Sequence, residues 1–258
     1  MYPTLFHIGS FRIDTYSVMW FIALALAIIW AINRLALYDL DEDESRRIMA
    51  VSFFCMLLGA RMPEYVKHFG DYVKNPALFL DLNRGGLEEY GAILGAFISA
   101  MIMCAFSRKV SFLKLCDVAA IPAMLAITVG RWGCFLNGCC VGLQTDFISG
   151  VHFPRDPEGV FRHPVQIYYS LIAGVIVLFL LYVERKILPR QKKHFQPVIA
   201  PLALILYSLM RLAVVPVREG YSLWEAVSSY WGYLAMTCAV PLECLWLADG
   251  LRKLKSQV

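Results

Sequence analysis

An arginine, an asparagine and three cysteines emerge together in the stretch Gly130-Arg131-Trp132-Gly133-Cys134-Phe135-Leu136-Asn137-Gly138-Cys139-Cys140-Val141-Gly142. It follows directly on the apolar run Leu115 to Val129, so its polar groups fall where a membrane helix should end. A charged side chain at membrane depth costs at least a few kcal/mol and marks a functional site by default. The four glycines of the stretch let backbone come close to something bound.

Other residues of the same chemical kind accompany it. Arg61, Tyr90, Arg131, Asn137, His163, Gln166 and Arg211 come from five different apolar spans, and all fall at or near one membrane face when the chain is threaded through a bilayer. Two or three arginines meeting at headgroup depth, with amide donors nearby, make a site for an anion, and a membrane supplies lipid phosphate abundantly. A phosphate ester held by arginines is also a poised leaving group, because those charges stabilise what develops as the bond breaks. Blander roles compete at each position. Tyr16 suits an interfacial belt, Arg61 and Glu64 are spaced to pair on a helix, Arg211 has the reach to snorkel, and Glu88 and Glu89 suit a helix start.

The elements that must carry these residues follow from composition. With 258 residues, 59% of them hydrophobic, 17% charged and a mean hydropathy of +0.58, the chain is too apolar for a soluble domain, whose charged fraction is nearer ~25%. The expected fold is an all-α polytopic membrane helix bundle. Seven spans of near the ~20 residues a crossing helix needs are expected at roughly 15–36, 48–66, 88–107, 115–135, 165–183, 198–216 and 226–247. The first lacks a convincing cleavage site and is expected to be retained. Fourteen of the 24 Lys and Arg residues fall in loops that share one side if the N-terminus is outside, so the C-terminus is expected to be cytoplasmic. The net charge of +4 needs no nucleic-acid partner, since basic residues beside spans answer to anionic headgroups. Residues 1–258 read as a single membrane domain, with an outer-face arm at about 67–86 and an outer loop at about 139–163. The acidic run Asp39 to Glu44 reads as a solvated turn, Pro122 as a kink, Gly91 and Gly95 as a close-contact helix face, and Asp117 as remote from the other polar residues.

Eight cysteines divide by setting. Cys55, Cys104, Cys116, Cys238 and Cys244 lie within or at the ends of apolar runs and read as small hydrophobes. Cys134, Cys139 and Cys140 lie close together outside. A Cys134–Cys139 disulfide, a metal site completed by His163 or His152, a nucleophilic thiol beside Arg131 and passive packing are the alternatives. A metal site lacks any CxxC spacing, and no GxGxxG or Walker loop is present, so neither metal nor cofactor is expected.

These residues resemble the prolipoprotein diacylglyceryl transferase family over most of the chain, from Tyr16 through Arg211. The strongest match is Gly130-Arg131-Trp132-Gly133-Cys134-Phe135-Leu136-Asn137-Gly138. Further matches are Gly59-Ala60-Arg61, Gly85-Gly86, Asp117 with Pro122, Phe153-Pro154, Arg162-His163-Pro164-Val165-Gln166-Ile167-Tyr168, and Tyr207 four residues before Arg211. The resemblance implies a multi-pass enzyme of the bacterial cytoplasmic (inner) membrane acting in lipoprotein biosynthesis. Such an enzyme moves a diacylglyceryl group from phosphatidylglycerol to the lipobox cysteine of a preprolipoprotein, forming a thioether and releasing glycerol phosphate. It implies Arg131 and Arg211 as the essential arginines, with Tyr16, Arg61, Asn137, His163, Gln166 and Tyr207 binding substrate. Several positions depart from the family. Tyr90 stands where a histidine is usual and is the candidate for its catalytic place, Cys134 replaces an asparagine, Cys139 a glutamate, Tyr169 an acid and Val215 another acid. Tyrosine, with an ordinary pKa of ~10, is a poor base at neutral pH. The phosphate side of the chemistry is retained and the proton-accepting side altered. The competing expectation is a membrane thiol or redox protein, or a non-catalytic lipid-binding relative, built on Cys134, Cys139 and Cys140.

Overall fold

The computed structural model describes residues 4–8, 11–75, 89–107, 109–187 and 197–220. A hairpin of two antiparallel strands, β1 (Thr4–Ile8) and β2 (Phe11–Asp14), leads directly into α1 (Thr15–Arg34). The sequence reading expects no strand here; aromatic and β-branched residues pair across the hairpin, Phe6 with Ile13 and Ile8 with Phe11. Among the described residues six α-helices follow: α2 (Glu42–Lys67), α3 (Phe69–Lys74), α4 (Glu89–Phe106), α5 (Phe112–Asn137), α6 (Val165–Ile187) and α7 (Ile199–Val214). Among the described residues α1, α2, α5, α6 and α7 lie in segments long and apolar enough to cross a membrane, and α4 is a shorter apolar helix. The chain is a multi-pass membrane protein. Phe21, Phe54 and Leu178 are 74%, 64% and 69% exposed, and large apolar side chains displayed that fully along helices belong against lipid. The expected span 226–247 lies outside the described residues, as does most of the arm at 67–86, of which α3 is the beginning.

The chain divides into two compact units, Arg34–Leu115, and Met1–Asn33 together with Cys116–Val258. In the first, the acidic run is more than a solvated turn. Asp41 accepts from the Glu44 backbone N–H at 2.9 Å and caps α2, so the helix starts six residues before the expected span. Glu42, Asp43 and Glu44 occupy its first turn, where the helix dipole favours acids. Helix α2 then runs through Pro63 and packs on α4 at backbone distance: a Cβ on Gly91 would run into the Gly59 carbonyl, and one on Gly95 into that of Cys55. Glu64 lies beside His68 Nε2 at 3.6 Å, one turn further on.

The second unit carries α1, α5, α6 and α7. Helices α1 and α5 meet at glycines, since a Cβ on Gly130 would lie 2.9 Å from the Trp20 ring and one on Gly133 2.8 Å from Met19 Cβ. Helix α6 is tied to α5 by Ser170 Oγ donating to the Thr128 carbonyl at 2.7 Å. Asp117, buried at the other end of α5, accepts from the backbone N–H groups of Val198 (3.2 Å) and Ala200 (2.8 Å) and so caps α7 from a neighbouring helix. A hydrogen bond of this kind contributes about 0.5–1.5 kcal/mol net.

The loop between α5 and α6 is sewn to both flanking helix ends. Gly142 donates to the His163 carbonyl (3.0 Å) and Leu143 to that of Val217 (2.8 Å), while His163 donates back to Leu143 (3.0 Å). Arg162 reinforces this with Asp156 and Glu219, each at 2.8 Å. The two carboxylates hold the Arg162 guanidinium charged beyond its already high ordinary range, Asp156 contributing most. The end of α5, the start of α6 and the end of α7 are thereby held in one register.

Candidate functional site

Helix α5 ends with Arg131, Cys134 and Asn137 on successive turns, α6 begins with Gln166 and Tyr169, and α7 ends with Tyr207 and Arg211. Tyr169 is the point where they meet. The Arg131 guanidinium carbon lies 4.5 Å from the centroid of its ring, and that of Arg211 lies 5.5 Å away. Both arginines are buried, 8% and 2% exposed, so each cation–π contact is largely removed from water and is worth about 1–2 kcal/mol. Two cations from different helices therefore flank one phenol whose hydroxyl is buried without a hydrogen-bond partner among the described residues. The Oε1 of fully buried Gln166 is likewise without one, while its Nε2 donates to the Cys139 carbonyl at 2.6 Å. A buried hydroxyl able to donate and two guanidiniums beside the same ring supply hydrogen-bond donors and positive charge, which is what an anion requires.

Several expected residues are assembled here. Tyr16 is half-buried on the first turn of α1, where its backbone approaches Gly133, and it is in electrostatic reach of Arg131. Asn137, the last residue of α5, lies within electrostatic reach of the Cys139 thiol. Tyr207 is buried one turn before Arg211. His163 takes a different part: its Nδ1 lies 3.3 Å from the Tyr168 hydroxyl, which also meets Ser149 at 2.9 Å, so the histidine fastens the loop to α6. Arg61 and Tyr90 belong to the other compact unit; Arg61 is buried, and the Tyr90 side chain lies outside the described residues.

The glycines of the signature stretch do something other than admit a ligand. Gly130 and Gly133 admit α1, Gly142 lies against His163 and Val217, and Gly138 takes a left-handed φ of 68° where α5 ends. Cβ atoms there would push helices and loop apart.

The three cysteines converge. Their sulfur atoms lie within 4.8 Å of one another, Cys134 buried, Cys139 intermediate and Cys140 exposed, all of them free thiols. Convergence depends on the backbone: after Gly138 the Cys139 N–H returns to the Cys134 carbonyl at 3.1 Å, and Cys140 adopts φ 58°. A non-glycine residue in that region is strained by about 1–2 kcal/mol. Hydrogen bonding to Cys134 and Cys139 holds the Cys140 thiol well below the ordinary thiol range, with Arg218 and Arg131 adding to the effect. Neither expected histidine joins the group: His152 Nδ1 pairs with the Val160 carbonyl at 3.0 Å, and His163 faces Tyr168.

Tyr169 and Arg218 are absent from the residues the sequence singles out as ligands. The available signal for Tyr169 was its place three residues after Gln166, on the same face of α6, at a position where the resembled family carries an acid. Arg218 gave none, because its proximity to Cys140 depends on the pairing of Gly142 with Arg218 across the loop.

The family model for prolipoprotein diacylglyceryl transferase matches residues 3–245. A phosphatidylglycerol–prolipoprotein diacylglyceryl transferase of Clostridium novyi is 31% identical over 226 residues, covering 84% of this chain and 84% of the relative. Proteins of the same name from Clostridium tetani (32% over 189 residues, 72% of this chain and 75% of the relative) and Clostridium botulinum (30% over 194 residues, 72% and 75%) are also similar.

Proposed function

This chain belongs to the prolipoprotein diacylglyceryl transferase family, and on that footing we propose that it transfers a diacylglyceryl group from phosphatidylglycerol to the lipobox cysteine of a lipoprotein precursor. The observation that carries the reading is the pair of buried guanidiniums, from α5 and α7, over the single Tyr169 ring. Arg131 and Arg211 grip the phosphate of the donor, and the Tyr169 hydroxyl donates to one of its oxygens. The acceptor sulfur attacks the glyceryl carbon and a C–S bond forms. The C–O bond to phosphate breaks, its electron pair stays on the phosphate oxygen, and glycerol phosphate departs. The thiol proton goes to solvent. Charge grows on the leaving oxygen as that bond breaks, so donors fixed in a site with little water stabilise the transition state more than the ground state.

Tyr16, Asn137, Gln166 and Tyr207 line the donor site in this reading, and His163 holds the loop beside it. By family position Arg61 is assigned to substrate binding and Tyr90 to orienting the acceptor thiol. The bilayer is the bacterial cytoplasmic membrane, residues 1–258 form one membrane domain of seven spans, and the N-terminus and the α5–α6 loop face outward.

Purified protein mixed with phosphatidylglycerol and a cysteine-containing lipobox peptide tests the proposal. The expected result is a thioether-linked product with equimolar glycerol phosphate. Arg131→Ala or Arg211→Ala should each lower the rate by about 10²–10³, the usual cost of removing one preorganised donor. Undiminished transfer in either variant would sink the reading.

A further inference from the structure

The cysteine trio converges beside the donor site, and donor binding leaves it unused. We propose that Cys134, Cys139 and Cys140 hold a soft divalent metal ion of the zinc class, leaving a fourth position that takes the acceptor thiol as its thiolate. The metal site stands on this chain's own residues; the role of the fourth position rests on the transferase reading.

Three sulfurs within 4.8 Å of one another are close to what a tetrahedral ion needs. Zinc–sulfur bonds of ~2.3 Å place ligand sulfurs ~3.8 Å apart, and modest rotations about χ1 close the difference. Three thiolates select zinc-like or cuprous ions over magnesium or calcium, which prefer oxygen. The absence of a CxxC spacing is no obstacle, because two left-handed residues, Gly138 and Cys140, return the chain past the end of α5.

The surroundings suit a ligand set. Gln166 Nε2 fixes the Cys139 carbonyl at 2.6 Å, a supporting contact of the kind that orients metal ligands. Three thiolates around a divalent ion leave one net negative charge, and Arg131 and Arg218 both interact electrostatically with Cys140. Passive packing accounts for the buried Cys134 but not for a strained, exposed Cys140 directed at the same point. A disulfide would engage only two of the three.

Structural zinc sites close with four protein ligands, whereas sites that act on substrate keep three and an open position. Here the gradient from buried Cys134 to exposed Cys140 leaves the open side toward solvent. A thiol bound to such an ion loses its proton outright. The acceptor S–H would release its proton to water on binding, and the metal-bound sulfur would attack the glyceryl carbon. The C–O electron pair leaves with the phosphate, and the neutral thioether, a weak ligand, comes off the ion. No redox partner is needed, and no base is required at Tyr90.

The experiment uses the full chain in detergent with reductant, loaded with Zn²⁺ and freed of unbound ion. One zinc per chain is expected, lost in Cys134→Ser, Cys139→Ser and Cys140→Ser. Exposed Cys140 is the substitution least able to disturb folding, and circular dichroism checks each variant. Loaded with Co²⁺ instead, the protein should show a thiolate-to-cobalt charge-transfer band that a cysteine-containing lipobox peptide alters and its serine counterpart does not. Wild-type protein without zinc, full retention by Cys140→Ser, or a disulfide within the trio of protein isolated without reductant overturns the site. An unchanged cobalt band overturns the role of the fourth position. Arg211→Ala should keep the zinc and lose transfer; if it keeps both, the arginine reading falls and the metal site stands.

Discussion

Tyr169 shows how a change of one residue type alters a charged site without dismantling it. An acid between Arg131 and Arg211 would neutralise part of their charge, whereas a phenol supports both guanidiniums on its ring without adding a negative charge. Its hydroxyl, buried and without a hydrogen-bond partner among the described residues, supplies the extra donor a phosphate oxygen can use. Tyr169→Phe keeps the ring contacts and removes only that donor. A hydrogen bond to a charged group is worth about 1.5–3 kcal/mol, so transfer from phosphatidylglycerol should fall by roughly 10–100-fold with the melting temperature little changed. Kinetics indistinguishable from wild type would remove Tyr169 from the donor site.

Among the elements, caps decide where helices begin. Asp41 starts α2, and its carboxyl is held below the ordinary carboxylate range first by the Glu44 N–H and then by Lys109, whose Nζ lies 3.5 Å away. A carboxyl depressed in the folded state contributes stability that is complete above its unfolded value of ~3.9 and is lost as pH falls through the lower folded value. Thermal unfolding followed by circular dichroism should therefore show Asp41→Ala melting below wild type at neutral pH. The gap should close as the pH is taken below about 4. Asp41→Ser, which caps without charge, should lack that acid-dependent step. A gap independent of pH would mean that the carboxylate charge is immaterial to the cap.

At the scale of the whole molecule, loop charge sets orientation. Arg46, Arg47, Lys109, Lys114, Arg185 and Lys186 fall on the side expected to be cytoplasmic, and the α5–α6 loop falls on the other. In a Cys140→Ser background, Glu158→Cys should react with a membrane-impermeant maleimide added to intact spheroplasts, and Lys109→Cys only after permeabilisation. The reverse pattern would invert the proposed topology. Helix number and position were legible in the chain because a bilayer acts on each apolar run locally, and six of the expected spans have helices among the described residues. The expected close-contact face of Gly91 and Gly95 was legible for the same reason, as small residues can be seen without knowing what they touch. The Asp117 cap on α7 was not, since its partner lies 83 residues along the chain, nor were the hairpin before α1 and the His163–Tyr168 contact, which join near neighbours but depend on turn geometry that the residue pattern does not fix. The sequence by itself determined which arginines and cysteines the protein carries, near which helix ends, and to which family it belongs. Only the tertiary structure decided that two arginines share Tyr169 and that three sulfurs meet, because side-chain convergence is set by helices crossing at glycines and by loop pairings that no local pattern encodes.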